Sequence, residues 1–282
     1  VNGNVRDFCE RRVPSPIDLA VSAILSPLSG TGLDDNTAVV ARISNEGLDT
    51  VSSFLLRYSI DGGSPVEEPV EQTLAPEETI EHTFAVRADF SELRSYNLQV
   101  EVAAEGDTVD GNNVLECVID HVEPVPVPFR VDFNDTSDIG NFRILDANED
   151  GMSWVRTTTI WPDADGNEMD PGSVYGKYLE IACPSSRPMD DWLMVFPPVR
   201  IPAGTAHIGF NYKGGYDYST EHLQVWYGTS SNVDDMTLLR DLDGFWGGEW
   251  FYNAANIQVE EEGDYYFAFR ACSEANSYSI ML

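Results

Sequence analysis

Hydrophobic and polar residues alternate along much of this chain. From Phe54 to Ile60 every second side chain is apolar, and residues 80–86 and 96–102 repeat the pattern. Such alternation is typical of antiparallel strands that bury one face and expose the other to water. We find no convincing run of apolar residues at helical spacing. The sequence therefore predicts an all-β protein.

The first part of the chain holds seven such segments, separated by turn residues. Asp61-Gly62-Gly63, for example, predicts a tight hairpin turn, because glycine readily adopts a positive φ. Seven strands within residues 13–121 are typical of an immunoglobulin-like sandwich, and residues 1–12 are predicted to be an N-terminal tail. The predicted strands are approximately 18–25, 37–44, 51–60, 65–73, 79–87, 96–104 and 114–121.

Residues 122–128 are rich in proline and are predicted to form a stiff, extended linker, since each proline fixes φ and removes a backbone donor. The strands predicted after it are longer and more aromatic, with acidic, glycine-rich loops between them. Their number favours a jelly roll over residues 129–282. The predicted strands are 129–133, 153–159, 177–183, 192–200, 206–213, 222–229, 236–241, 250–259, 264–271 and 277–282.

The chain is strongly acidic. Its 282 residues include 48 Asp and Glu but 16 Lys and Arg, for a formal charge of −32. This charge disfavours binding to nucleic acid or to anionic membranes and suits a protein that collects cations. No apolar run reaches transmembrane length, so we expect no membrane insertion. The chain starts at Val1 without a signal segment, so we expect a processed piece of a longer multidomain protein.

One loop has the residue order of a calcium site. Asp146, Asn148 and Asp150 stand at alternate positions before a glycine, so their side-chain oxygens can converge. Calcium takes about six to eight oxygens, and Asp190 and Asp191 are the first candidates for further ligands. The alternative interpretation is an ordinary turn rich in Asp and Asn.

Four cysteines are spread along the chain without metal-binding spacing. Independent domains favour the disulfides Cys9–Cys117 and Cys183–Cys272, because a bridge between domains would restrain the linker. The alternative for Cys117 is a buried thiol, since it alternates with apolar neighbours.

Aromatic residues in loops are the candidate ligand-binding side chains. Loop 243–250 combines three aromatic residues with three glycines, which let the backbone approach a ligand closely. The alternative is that these side chains pack at the bases of the loops. The candidates are Phe245, Trp246, Trp161, Tyr216 and Tyr218.

Catalytic motifs are lacking. The sequence has no nucleophile elbow, no zinc-protease motif and no phosphate-binding glycine loop, and its four histidines are scattered. We therefore expect a protein that is not an enzyme.

Short motifs in the first part resemble the cell-adhesion-related β-sandwich of bacterial surface proteins. They are Asp18–Val21, Ser44–Gly47, Ile60–Gly63 and Leu74–Glu78. This resemblance implies that the first domain spaces and presents its neighbour.

The second part resembles cleaved-adhesin or MAM-like jelly rolls. The matching pieces are Asp146–Gly151 with Trp154, Asp190–Leu193 with Pro197, Glu221–Trp226 and Ala268–Arg270. The resemblance implies a calcium-binding, adhesive domain, secreted or on a cell surface, with Trp154, Trp192 and Trp250 in its core. The expected partner is a host or matrix protein or a glycan. Two alternatives are a carbohydrate-binding module cut from a larger secreted hydrolase, and a structural spacer without a ligand.

Overall fold

The protein consists of strands and short turns, as the alternation predicts. The computed structural model describes residues 15–157, 178–183, 187–215, 219–247 and 249–282. The chain divides into two compact units, residues 1–121 and 122–282. None of the helices in these described stretches is long and apolar enough to span a membrane.

Unit 1 is a sandwich of two antiparallel sheets. The strand order is β1-β2-β5 in one sheet and β4-β3-β6-β7 in the other. Their inner faces enclose one apolar core, which includes Leu19, Ile43, Leu56, Phe84 and Leu98. The strands are β1 Leu19–Ser26, β2 Val40–Asn45, β3 Phe54–Ile60, β4 Val66–Val70, β5 Thr79–Thr83, β6 Ser95–Ala103 and β7 Val114–Asp120.

The Ser44–Gly47 motif lies at the end of β2, and its hydrogen bonds explain its residues. Asn45 is buried and donates its side-chain amide to the carbonyls of Asp49 and Leu74, while Gly47 N–H donates to its Oδ1. A Cβ at Gly47 would lie 2.7 Å from the Pro16 carbonyl oxygen, so only glycine fits there. This segment therefore fastens the chain entering β1 to the end of β2.

In its described residues, unit 2 contains the remaining strands and two short 3-10 helices. The helices are Thr136–Asn141 and Val233–Asp235. The strands are β8 Val125–Pro126, β9 Phe142–Asp146, β10 Val155–Thr157, β11 Tyr178–Ala182, β12 Asp191–Val195, β13 Val199–Ile201, β14 Gly204–Gly214, β15 Glu221–Gly228, β16 Thr237–Phe245, β17 Phe251–Val259, β18 Gly263–Ala271 and β19 Ser279–Met281.

Two sheets face each other in unit 2. One has the order β10-β11-β19-β14-β17, and the other follows β16-β15-β18-β12-β9, with β13 joined to β18. The core contains Leu179 and Tyr212 from the first sheet and Leu193 and Leu223 from the second. The predicted fold class, two tandem antiparallel all-β sandwiches, is confirmed.

The proline-rich segment 122–128 is part of unit 2. Val125 and Pro126 form β8, which pairs in parallel with β13, and Val125 N–H donates to the Pro198 carbonyl at 2.9 Å. Pro126 has no amide hydrogen and is tolerated because β8 pairs on one side, with β13, and ends at this residue.

Candidate functional site

Two acidic residues face each other where β9 and β12 meet. Asp146, the last residue of β9, pairs directly with Asp191, the first residue of β12. Directly paired residues in an antiparallel sheet lie on the same face, and like charges there repel each other. Asp191 is 0% exposed, and neither of its carboxylate oxygens has a hydrogen-bond partner among the described residues.

Burial makes the charged form of Asp191 unfavourable. It raises the pKa of this carboxyl to about 7, and the negative charges of Asp146 and Asp150 add to the rise. A buried charge without a partner is strongly destabilising, so near neutral pH this position calls either for a proton or for a cation.

The loop after β9 folds back on itself. The backbone N–H groups of Asp150 and Gly151 donate to the Asp146 carboxylate at 3.2 and 2.8 Å. Glu149 and Gly151 both have positive φ, which tightens the turn. These bonds also occur in an ordinary turn rich in Asp and Asn. What such a turn does not explain is the buried carboxylate of Asp191.

Asp190 is engaged elsewhere. Its two carboxylate oxygens accept hydrogen bonds from the Arg270 guanidinium, at 2.7 and 3.0 Å. Arg270 also lies over the ring of Trp192, with its Cζ 5.3 Å from the ring centroid. Asp190 is therefore neutralised by Arg270, and the prediction that it binds metal is not supported.

The remaining residues fit calcium in their chemistry. Asp146, Asn148, Asp150 and Asp191 offer only carboxylate and amide oxygens, the donors that calcium prefers. In the part of the chain that the structure describes, no three Asp, Glu, His or Cys side chains stand close enough together to hold an ion as they are. Binding would therefore require the loop side chains to close on Asp191.

The loop between β16 and β17 displays one of its two candidate aromatic residues. Trp246 is 54% exposed. Its backbone packs so closely on β14 that a Cβ at Gly214 would lie 2.8 Å from the Trp246 carbonyl carbon. The backbone of Trp246 is thus closely packed, while its indole ring faces solvent.

Phe245 is not exposed, contrary to the prediction. β16 continues to Phe245, which pairs with Glu221 and lies in the core at 8% exposure. Its ring meets the ring of Tyr212 edge-on, with the centroids 4.9 Å apart. The predicted strand ended too early, and this placed Phe245 in a loop.

The remaining aromatic residues with a predicted role are three core tryptophans and three candidate ligand-binding side chains. Trp154 and Trp192 are buried as predicted, whereas Trp250 is half-buried and packs edge-on against Tyr178. Three further candidate ligand-binding residues lie outside the described residues: Trp161, Tyr216 and Tyr218.

Two cysteines of the predicted disulfides are free in the structure. Cys117 and Cys272 are free cysteines, and Cys9 lies outside the described residues. Cys183 follows β11 and its N–H donates to the Tyr278 carbonyl, whereas Cys272 follows β18 and its N–H donates to the His222 carbonyl. The two cysteines therefore follow strands of different sheets.

Cys272 is expected to be slow to react while the protein is folded. Burial raises the pKa of its thiol to about 12, so very little thiolate exists at pH 8. We expect iodoacetamide to modify Cys272 at least about 100-fold more slowly in the native than in the unfolded, unreduced protein. Peptide mass spectrometry gives both rates. Failure of Cys272 to react in the unfolded, unreduced chain would show that it is bridged.

A second buried carboxylate was missed by the sequence reasoning. Glu221 begins β15 on its buried face and accepts hydrogen bonds from Ser273 Oγ, Ser219 Oγ and Tyr278 N–H. Burial raises the pKa of Glu221, and these donors oppose the rise. The sequence did offer a sign of this burial, because Glu221 alternates with the apolar residues Leu223 and Val225 and so lies on the same buried face of the strand. Because it is well bonded, Glu221 fixes the 273–278 segment to β15.

Solved structures similar to this chain include adhesin domains and CARDB domains. No family model and no curated protein matches the sequence. The K3 cleaved adhesin domain of Lys-gingipain from Porphyromonas gingivalis has 19% identity and a TM-score of 0.39, covering 50% of this chain and 87% of that domain. The K1 domain of the same protein has 17% identity and a TM-score of 0.38, covering 50% and 86%.

A CARDB domain from Pyrococcus furiosus, solved in complex with di-metal ions, has 23% identity and a TM-score of 0.31. It covers 38% of this chain and 89% of that domain. Adhesin and CARDB domains are also the two kinds of domain that the sequence motifs resemble.

Proposed function

We propose that this chain is an extracellular binding module, secreted or held at a cell surface as part of a longer multidomain protein. Unit 1 acts as the spacer. Unit 2 is stabilised by calcium and binds a protein or glycan on a host or matrix surface through a loop at the end of its sandwich. Rigid sheets with ligand-binding loops are a common arrangement in such domains.

The exposed side chain of Trp246 carries this proposal. Tryptophan is rarely left exposed on a loop without a partner, since it supplies large contact area with little side-chain entropy to lose. The close packing of its backbone against Gly214 means that the indole needs little ordering when it binds.

The calcium part of the proposal rests on Asp191. A cation held by Asp146, Asn148, Asp150 and Asp191 would neutralise the carboxylate that is buried without a partner. It would also join the loop after β9 to the start of β12. The metal would then have a structural role, fixing one end of the sandwich.

One candidate nucleophile is poorly suited to catalysis. Burial raises the pKa of the Cys272 thiol to about 12, and a thiol that stays protonated is a poor nucleophile.

Replacing Trp246 by alanine tests the loop. We expect Trp246→Ala to change the free energy of unfolding by no more than about 1 kcal/mol, because the side chain is exposed. Loss of a central aromatic anchor should nevertheless weaken attachment about tenfold or more. Beads coated with the full chain can be counted on immobilised matrix proteins, mucin and epithelial cells.

Leu238→Ala serves as the matched control, since Leu238 is an exposed apolar residue on β16. It should leave attachment unchanged. Two results would contradict the proposal: the unmodified chain attaches to none of these surfaces, or Trp246→Ala attaches as well as the unmodified chain. Either result would favour a structural spacer without a ligand.

A further inference from the structure

Strands β14 and β17 form an exposed two-stranded surface in unit 2. They pair without interruption from Gly204↔Val259 to Tyr212↔Phe251. Alternate residues such as Ile208 and Ile257 pack into the apolar core. The residues between them face outward, and we name this outward surface the β14–β17 face. Its residues are Thr205, His207, Gly209, Asn211, Tyr252, Ala254, Asn256 and Gln258.

Tyr252 pairs with Asn211 near one end of this ladder and is 64% exposed. Its ring lies against Gly209, where an added Cβ would meet Cζ at 3.0 Å and Cε2 at 3.1 Å. Any larger residue at Gly209 would lift the ring off the strand. The glycine therefore lets the aromatic ring rest on the backbone of β14 while much of the ring stays in contact with water.

Polar, uncharged side chains surround the ring. His207 Nδ1 lies 2.9 Å from Asn256 Oδ1, and His207 Nε2 lies 3.4 Å from Tyr252 Oη. Thr205 Oγ1 donates to Gln258 Oε1 at 3.0 Å. These contacts hold the side chains in place. They involve the amide oxygens of Asn256 and Gln258 but not the amide nitrogens. An amide group offers both donors and an acceptor, which matches a pair of neighbouring hydroxyl groups.

The charge of the face limits what it can bind. None of its eight residues is acidic, although 48 of the 282 residues of the chain are Asp or Glu. A neutral ligand meets no repulsion on this face, whereas an anionic one would be repelled by the rest of the chain. A protein partner would need a larger contact of about 800 Å² on each side with an apolar centre, and this face offers one exposed aromatic ring.

We propose that the β14–β17 face binds a neutral pyranose glycan. One sugar ring stacks its apolar face on Tyr252, and its hydroxyl groups pair with the amides of Asn211, Asn256 and Gln258. Because all of these residues stand on paired strands, the geometry is set before the ligand arrives. This site is distinct from the Trp246 loop and from the calcium centre, and it extends the proposed function to a named class of ligand.

The test uses the full chain on an array of neutral and anionic glycans, followed by affinity electrophoresis in gels containing soluble neutral polysaccharides. We expect binding to neutral glycans. Tyr252→Ala should weaken it about tenfold or more, as truncation of a central aromatic contact does. Tyr252→Phe keeps the stacking ring and should bind within about threefold of the unmodified chain. Melting temperatures confirm that each variant is folded.

Trp246→Ala separates this proposal from the proposed function. Unchanged glycan binding by Leu238→Ala, an exposed residue outside both surfaces, together with loss in Tyr252→Ala, supports the β14–β17 face. Loss of glycan binding in Trp246→Ala with full binding in Tyr252→Ala would assign the glycan to the loop and overturn this inference while leaving the binding module intact. Absence of neutral-glycan binding, or a preference for anionic glycans, would also overturn it.

Discussion

Trp192→Ala is expected to destabilise unit 2 by about 3–5 kcal/mol, the usual cost of truncating a buried aromatic side chain. Trp192 is 7% exposed and packs against Trp226, with the ring centroids 5.8 Å apart. It also supports Arg270, which in turn holds Asp190. Urea denaturation of the full chain, followed by tryptophan fluorescence, gives the change in the unfolding free energy.

Trp246→Ala is the matched control, because it removes the same side chain from an exposed position in the same unit. Its cost should stay within about 1 kcal/mol. If the two variants prove equally destabilising, the loop aromatic is packed in solution, and the proposed binding surface fails with it.

Calcium is expected to raise the melting temperature of unit 2 by about 5–10 °C at 100 times its dissociation constant. This corresponds to about 2.7 kcal/mol of stabilisation through binding to the folded state. Asp146→Ala and Asp150→Ala should each remove most of the response. Differential scanning calorimetry of the full chain in calcium and in EDTA measures it. A melt that is insensitive to EDTA would contradict the calcium centre.

Asp191→Asn should be more stable than the unmodified chain without calcium and less stable than it with calcium. The folded-state pKa of Asp191 is raised to about 7, against an unfolded value of about 3.9. The folded protein therefore keeps a proton that the unfolded chain releases, and the contribution of Asp191 to stability falls as pH rises from about 4 to about 7. At pH 8 without calcium, Asp191→Asn should be the more stable protein, because it lacks the buried charge. With calcium, the unmodified chain should be the more stable.

Much of the fold could be predicted because strand alternation is a local property. All seven strands of unit 1 lie within a few residues of their predicted positions. Unit 2 was harder, since aromatic residues occur on both faces of its strands. The extension of β16 to Phe245 depends on pairing with Glu221, and the sequence around Phe245 looks like a glycine-rich loop.

The candidate calcium loop could be found from its residue order, but its partners could not. Asp190 and Asp191 are adjacent in sequence and both acidic, so nothing local separates them. Their roles differ because Asp191 pairs with Asp146 across β9 and β12, whereas Asp190 meets Arg270 from β18. Such differences depend on strand register and on residues about 80 positions away, which the hydrophobic pattern does not specify.

A calorimetric titration of calcium into the EDTA-stripped full chain at pH 8 tests the central claim most directly. The calcium centre predicts saturable binding by the unmodified chain, binding at least about tenfold weaker in Asp191→Asn, and nearly unchanged binding in Asp190→Asn, whose carboxylate is already held by Arg270. Equal calcium affinity in the unmodified chain and Asp191→Asn, or no binding by the unmodified chain, would contradict a calcium centre at Asp191.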